Sequence, residues 1–393
     1  MTSSTPAAHV DLLVIGGGPV GLAAARHAAV RGLDVLVLEQ FDLFTQRGSS
    51  GGDERQWRIQ YSQEDLARLT LDARELWADL EQASGRRLVH ETGSLWFGDV
   101  SMATNEGQIG AAASVLDRIG VSYDWLTAKE IEDRFPFVAL PADYEGFFQP
   151  DGGSIDVRGT LWVLHDLAQR AGARVLAGRR VDAIEPDSDG VTVRAAGESY
   201  RADQVVVTAG AYAAGLLAPL GVELDVHRFT MSSASFRLRE REISLPSWFA
   251  FQQPTEHDTN LFYGFGAAPW SNGDIVRAGP DFEDHHVPDP YDAGNVAVPA
   301  HLARLVGWVA KHLPVLDPDP VCSAGHVAVL PADPERQFYF GRPPADTAGA
   351  DRIVVFSAGW GFKFVPLLGR ACVEVAVDGR TSYNLDRFAL APA

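Results

Sequence analysis

Residues 11–40 read DLLVIGGGPVGLAAARHAAVRGLDVLVLEQ, and no other stretch narrows the choice of fold as much. Asp11 to Ile15 is a short apolar run of the kind that forms a buried parallel strand. Gly16, Gly18 and Gly21 follow in G-x-G-x-x-G spacing. Pro19 to Arg31 is alanine-rich and helical in pattern, and Gly32 stops it. Leu33 to Leu38 is a second buried strand, ending at Glu39 and Gln40. The order strand, glycines, helix, strand, acid predicts a βαβ unit with a task for each landmark. Gly16 permits the tight turn, Gly18 lets a pyrophosphate approach the backbone, and Gly21 lets the helix pack closely on the sheet. Pro19 and Val20 open the helix, whose free N–H groups and partial positive charge favour phosphate. Glu39 stands where a carboxylate accepts hydrogen bonds from an adenosine ribose. A glycine pattern alone also fits an ordinary turn, but the whole series points to a bound dinucleotide. The acid at the second strand end would repel a 2′-phosphate, which leaves FAD or NAD.

Charge removes other function classes. The 393 residues carry 52 acidic and 33 basic side chains, a net charge of −19. A nucleic-acid binder needs a basic footprint, so none is expected as partner. The opening MTSSTPAAHV lacks a basic n-region and an apolar h-region, and no apolar run approaches membrane-spanning length. The expectation is a cytoplasmic enzyme. Cys322 and Cys372 are too few for a disulfide framework, and no metal-ligand spacing occurs. His285 and His286 are adjacent and read as exposed. Only Lys129, Lys311 and Lys363 are lysines, so Lys marks positions where the chain does not use Arg.

Residues 151–221 decide between FAD and NAD. They read as a turn, a helix over Val157 to Ala171, a strand, a hairpin turning near Asp187 to Gly190, and a strand ending in Thr208, Ala209 and Gly210. Small residues there allow backbone to lie close against a cofactor. Two further segments are more specific: GSSGGDERQWRIQY at 48–61 and IVVFSAGWGFKF at 353–364. With them the chain resembles the monomeric sarcosine oxidase and N-methyltryptophan oxidase branch of the D-amino-acid oxidase superfamily of flavoproteins. The resemblance runs nearly the whole length in order.

That resemblance implies an α/β fold: a glutathione-reductase-like, Rossmann FAD-binding domain interleaved with a mixed-sheet α+β substrate domain. The FAD domain would comprise residues 1–87, 151–221 and 346–393, and the substrate domain 88–150 and 222–345. Val181 matches the valine beside the adenine, and Ser50 and Arg55 fall in the segment that follows the fingerprint. Arg55 is expected near the flavin, where a fixed positive charge favours its reduced anion. Gly359 and Gly361, followed by Phe362 and Lys363, would turn backbone N–H groups toward the flavin. Cys322 matches the cysteine that carries FAD as a thioether in this branch, although the spacing to the aromatic strand near Phe338 is about two residues long. Its other reading is a small buried hydrophobe. Cys372 reads as core.

Arg58 and Lys363 match the pair that binds a substrate carboxylate, a role suited to paired cations in a low-dielectric pocket. The other reading of Arg58 is an ion pair with Asp53 or Glu54. Phe251, Tyr263 and Trp360 are candidates for the pocket wall. Two departures stand out. Arg277 matches the family's oxygen-activating Lys, with Asp281 in place of a nearby histidine, and Gly51 matches a flavin-facing histidine, which would enlarge the pocket. The acidic stretch Asp281 to His286 reads as solvated surface, and the C-terminal helix as Val365 to Val377.

The resemblance implies an FAD-dependent amine oxidase. Its substrate would be a secondary amine, N-methyl amino acid or cyclic imino acid, oxidised to an imine while oxygen becomes hydrogen peroxide. Its partners would be that small molecule and oxygen, and it would act as a monomer or weak homodimer. The alternatives are a flavin dehydrogenase or monooxygenase with another acceptor, and a flavin-binding subunit of a larger complex.

Overall fold

A computed structural model describes residues 8–390, except 256–258, 272, 282–284 and 358. The βαβ unit forms as its pattern dictates. The strand Ala8–Ile15 leads through the helix Pro19–Val30 to the strand Val35–Leu38, and the two strands pair in parallel. On its other edge Ala8–Ile15 pairs in parallel with Glu198–Val207, the strand that ends in Thr208, Ala209 and Gly210. Val205–Val207 continue into a parallel pairing with Ile353–Val355, which brings the two halves of the chain together. The hairpin Val181–Asp187 with Gly190–Ala195 and the short strand Arg174–Leu176 complete the edges of this sheet. The strand Tyr339–Gly341 also joins it, ahead of the boundary placed at 346.

The central strands are buried on both faces, as their continuous Val, Leu and Ile runs require. One face is covered by the helix Pro19–Val30, which packs on the helices Val157–Arg170 and Val365–Asp378. Close approach is possible because the contact is built from small residues. A Cβ at Gly369 would lie 2.5 Å from that of Ala23. Cys372 is in this core, where burial pushes its thiol up to about 12.

The second sheet has eight strands, in the order Cys322–Pro331, Val226–Arg237, Ile275–Pro280, Leu261–Gly264, Ser247–Phe251, Ser94–Gly98, Glu145–Gln149 and Asp124–Thr127. It is mixed: Ser247–Phe251 runs parallel to Ser94–Gly98 and the other pairs are antiparallel. The helix Pro299–His312 covers one face, stacking Trp308 on Trp248 and Phe262. Most of the aromatics in these strands are core. A small third sheet, made of Glu54–Trp57, Gly153–Asp156 and Val89–His90, lies beside the other two. Its strand Glu54–Trp57 carries Arg55 and runs directly into Arg58. Among the described residues no helix is long and apolar enough to cross a membrane, and no acid, His and Cys cluster could hold a metal ion.

The stretch 281–286 departs from its expected solvation. Asp281 is buried, following directly on the central strand Ile275–Pro280, whereas His285 and His286 are exposed. Residues 282–284 lie outside the described residues.

Candidate active site

A cleft of about 620 Å³ runs from the fingerprint to the C-terminal motif. Gly16, Gly18, Pro19, Val20, Glu39, Gln40, Ser50, Arg55, Val181, Ala209, Gly210, Gly359, Trp360, Gly361, Phe362 and Lys363 all line it. Strand ends and turns from distant parts of the chain thus meet along one cleft.

At the fingerprint end, Gly16 has φ +107, and a Cβ there would meet the Thr208 carbonyl oxygen at 2.6 Å. Gly21 is bare because its Cβ would fall 2.0 Å from the Gly16 carbonyl oxygen; it underlies the cleft rather than lining it. Gly18 is different. Its φ of −72 suits any residue, and a Cβ there meets no atom within 4 Å. No crowding within the protein demands glycine at 18, so the demand comes from what the cleft is shaped to hold. No side chain caps the helix Pro19–Val30, so its first-turn N–H groups are left for a ligand. Glu39 is buried and accepts hydrogen bonds from the backbone N–H of Gly17 at 2.7 Å and Phe41 at 2.9 Å. Burial raises its pKa against those bonds, and each oxygen keeps a lone pair for a hydroxyl donor. These features fit an adenosine diphosphate moiety such as that of FAD.

At the other end the turn Gly359–Phe364 is held from three sides. Gly359 has φ +77 and donates its N–H to the Val329 carbonyl oxygen at 2.7 Å. A Cβ there would lie 1.3 Å from the Gln337 carbonyl oxygen. Trp77 donates its indole N–H to the Lys363 carbonyl oxygen at 2.7 Å and stacks on Phe362. The turn therefore fixes the Lys363 side chain, which is buried and lines the cleft. Burial first, then repulsion from Arg58 and Arg55 against attraction from Glu106, brings its pKa down to about 7.

Arg58 is 1% exposed and enclosed by aromatic rings, its guanidinium carbon 4.5 Å from the Tyr61 centroid, 5.0 Å from Trp96 and 5.2 Å from Phe249. The Lys363 ammonium is 5.7 Å from the same Tyr61 ring. The two predicted cations thus share one aromatic floor. Arg58 does not pair with Asp53 or Glu54. It donates Nη1–H to the Gln60 carbonyl oxygen at 2.8 Å and Nη2–H to the carboxylate of Glu106. Asp53 pairs instead with Arg158, and Glu54 with Arg277. Buried Arg58 Nε, Tyr61 Oη and Tyr263 Oη have no hydrogen-bond partner. Of the predicted pair, Lys363 alone lines the cleft; Arg58, Tyr61 and Tyr263 are packed outside its lining. Glu106 escaped the sequence reading because the exposed-looking run ATNEGQ around it gives no periodic signal.

Arg55 reaches the cleft through a lattice of backbone acceptors, donating to the carbonyl oxygens of Glu54, Ser49 and Gly51 at 2.7, 2.6 and 2.6 Å. Its guanidinium lies 6.0 Å from the Phe362 ring centroid. Desolvation and the neighbouring Arg277 lower its pKa to about 10, which leaves it charged at neutral pH.

Several expected residues stand elsewhere. Cys322 is exposed at the outer end of the strand Cys322–Pro331 and does not line the cleft. Ala328, on the same face of that strand, does, six residues and roughly 20 Å further along at strand rise. Neither reading of Cys322, attachment point or buried hydrophobe, matches that position. The buried residue on that face next to Ala328 is His326, whose Nε2 is 3.4 Å from the Arg55 guanidinium. Burial between Arg55 and Arg277 keeps its imidazole neutral. His326 also answers for Gly51: a Cβ at 51 would meet the Gln46 carbonyl oxygen at 2.9 Å and the His326 Cβ at 3.2 Å. The missing side chain therefore leaves no enlarged pocket. Arg277 does not line the cleft; its Nε donates to the Glu54 carboxylate at 2.6 Å and its Nη2 to the Glu54 carbonyl oxygen. Phe251 is fully buried behind Trp96, in a second row, with ring centroids 5.1 Å apart. Tyr263 is buried, its hydroxyl among the orphaned atoms.

Comparison with known proteins shows the family. The family described as FAD dependent oxidoreductase matches residues 11–375. The chain is similar to a solved structure of NikD, described as an unusual amino acid oxidase essential for nikkomycin biosynthesis. The identity is 51%, 97% of each chain is covered, and the TM-score is 0.93. It is 27% identical to the monomeric sarcosine oxidase of a Bacillus species (strain NS-129), over 97% of this chain and 96% of that one. It is 31% identical, over 97% of its length, to a Dictyostelium discoideum protein that carries the name of a bifunctional amine oxidase. There it spans 37% of the longer relative.

Proposed function

The chain belongs to the family of FAD-dependent oxidoreductases, and from that premise we propose that it oxidises a small amino or imino acid at the carbon–nitrogen bond. The substrate class is a secondary amine, an N-methyl amino acid or a cyclic imino acid. The observation that carries this reading is the pair of buried cations Arg58 and Lys363 on one Tyr61 ring, with Lys363 lining the cleft and Arg58 packed outside its lining.

The residues that would hold FAD are the fingerprint glycines and helix for the pyrophosphate, Glu39 for the ribose, and Val181 near the adenine. At the far end they are Arg55 and the turn Gly359–Phe364. When bound, FAD would supply a two-electron acceptor: the amine would lose two electrons and two protons to become an imine, and oxygen would gain both to become hydrogen peroxide. The protein's part is positioning and charge. Lys363, protonated below about 7, and Arg58 attract the carboxylate; Tyr61, Trp96 and Phe249 exclude water around it. Arg55 supplies a fixed positive charge where negative charge gathers. The amine reacts neutral, so no side-chain base is required of the site.

The residues 8–87, 151–221 and the C-terminal segment act as the cofactor domain, and the second sheet acts as the substrate domain. The protein works as a monomer or weak homodimer on its small-molecule substrate. No bond to Cys322 enters this proposal, because that thiol is exposed and outside the cleft.

One observation favours a second acceptor. The cation expected to activate oxygen, Arg277, is tied to Glu54 on two sides. A dehydrogenase passing electrons elsewhere would show slow reoxidation in air. The deciding experiment reduces the purified yellow protein anaerobically with N-methyl amino acids and proline-like ring amino acids, then admits air. Rapid return of the flavin spectrum with stoichiometric peroxide supports an oxidase. Slow return that an artificial acceptor accelerates supports the dehydrogenase, and no bleaching with any of these amines ends the amine reading.

A further inference from the structure

Glu106 changes what the clamp can accept. Its carboxylate sits on the Nη2 side of Arg58, while the Nη1 side is taken by the Gln60 carbonyl oxygen. Three aromatic rings enclose the guanidinium, so it cannot swing into solvent to meet a guest. Glu106 itself is largely buried, with 11% of its side chain exposed. Its partner Arg58 shares the Tyr61 ring with Lys363, which ties Glu106 to the proposed clamp. Its second carboxylate oxygen accepts no bond from any described residue.

A guest carboxylate between Lys363 and the free Nε edge of Arg58 therefore comes to rest beside a second carboxylate. Two carboxylates at such range repel unless a donor stands between them. In an α-amino acid the nitrogen is attached one carbon away from the carboxylate, within hydrogen-bond reach of its flank. We propose that Glu106 is a specificity-determining residue that accepts the N–H of the substrate and so admits ring or secondary amino acids whose nitrogen carries hydrogen. It turns away carboxylates with no donor at that position. This rests on the carboxylate clamp proposed above and deepens it. Discrimination comes from an attractive bond to one class and an unrelieved repulsion toward the other.

The test uses the FAD-loaded protein and two rigid ligands of the same size. Pyrrole-2-carboxylate presents an N–H beside its carboxylate, and 2-furoate presents an oxygen there. Each is titrated while the visible flavin spectrum reports binding. The unmodified protein should bind the pyrrole acid roughly tenfold or more tightly than the furan acid, the scale of one charge-assisted hydrogen bond. Glu106→Gln and Glu106→Ala should compress that ratio to within about threefold, with 2-furoate binding more tightly than before. A ratio near one in the unmodified protein overturns the proposal, and needs no variant to fold. So does a ratio that both variants leave intact, or a rise in affinity for both ligands alike, which would mean that Glu106 merely competes for Arg58. If neither ligand perturbs the flavin, or if both bind as tightly to Lys363→Met, the clamp itself fails, a result distinct from failure of the N–H assignment.

Discussion

At the scale of single residues the site is a balance of three charges in a dry aromatic box. Lys363 carries the adjustable one. Its pKa near 7 means that the empty site holds an ammonium below that pH and a neutral amine above it. An anionic ligand binds the ammonium, so its affinity should fall as pH rises through about 7, by at most about tenfold per pH unit. Burial first, then Arg58, Glu106 and Arg55, sets that midpoint, and Lys363→Met should abolish the pH dependence. It should also weaken carboxylate binding by roughly tenfold to a hundredfold. Titration of pyrrole-2-carboxylate between pH 6 and 9 measures both; a flat profile in the unmodified protein would contradict the assignment. Cys322 carries the opposite expectation. Because its thiol is exposed away from the cleft, Cys322→Ser should leave flavin content and the fraction of yellow colour retained in an acid precipitate unchanged. A loss of retained colour would put the thiol at the cofactor.

At the scale of elements, two turns aim the chemistry. Both depend on glycine, but for different reasons, and substitution separates them. Gly359→Ala forces a Cβ to within 1.3 Å of the Gln337 carbonyl oxygen at φ +77, so the turn must move. Destabilisation of more than about 2 kcal/mol is expected, by denaturant melt of the apoprotein. Gly18→Ala adds a methyl that meets no protein atom within 4 Å. The apoprotein should melt within about 0.5 kcal/mol of the parent, while FAD binding weakens, as read by fluorescence quenching. Equal damage to apoprotein stability by both substitutions would mean that Gly18 serves the fold and not the cofactor. The strands behind these turns were legible because they are doubly buried and continuously apolar. The Glu54–Trp57 strand was not. Its polar residues Glu54 and Gln56 are buried, Glu54 accepting from Arg277 and Gln56 donating to the Gly264 carbonyl oxygen, and no local pattern announces that.

At the scale of the whole molecule, the cleft is a seam. Its walls come from the fingerprint near the N-terminus, the middle strand ending at Gly210, the second-sheet residues Met231, Ala328 and Val329, and the C-terminal turn. A cofactor lying along such a seam ties these parts together. FAD at a hundred times its Kd should add about 2.7 kcal/mol to stability. For a chain of this size that is a rise of a few degrees in Tm, measurable by calorimetry with and without added FAD. A Tm indifferent to FAD would show that the seam closes without it.

The dinucleotide end was determined by sequence alone, since its requirements are local: a turn that only glycine allows, a helix start, an acid at a strand end. Lys363 and Arg58 were likewise visible as family motifs, Lys363 also as one of only three lysines. What only tertiary structure decided was which groups meet those residues. Glu106 comes from a loop 48 positions beyond Arg58 to take one side of its guanidinium. His326 fills the room beside Gly51, and Glu54 claims Arg277. Cys322, matched by its neighbours in sequence, is carried out of reach by six residues of extended strand. The physical reason is that a local motif fixes backbone shape within a few residues, whereas a buried charge takes whichever partner the packed chain brings to it.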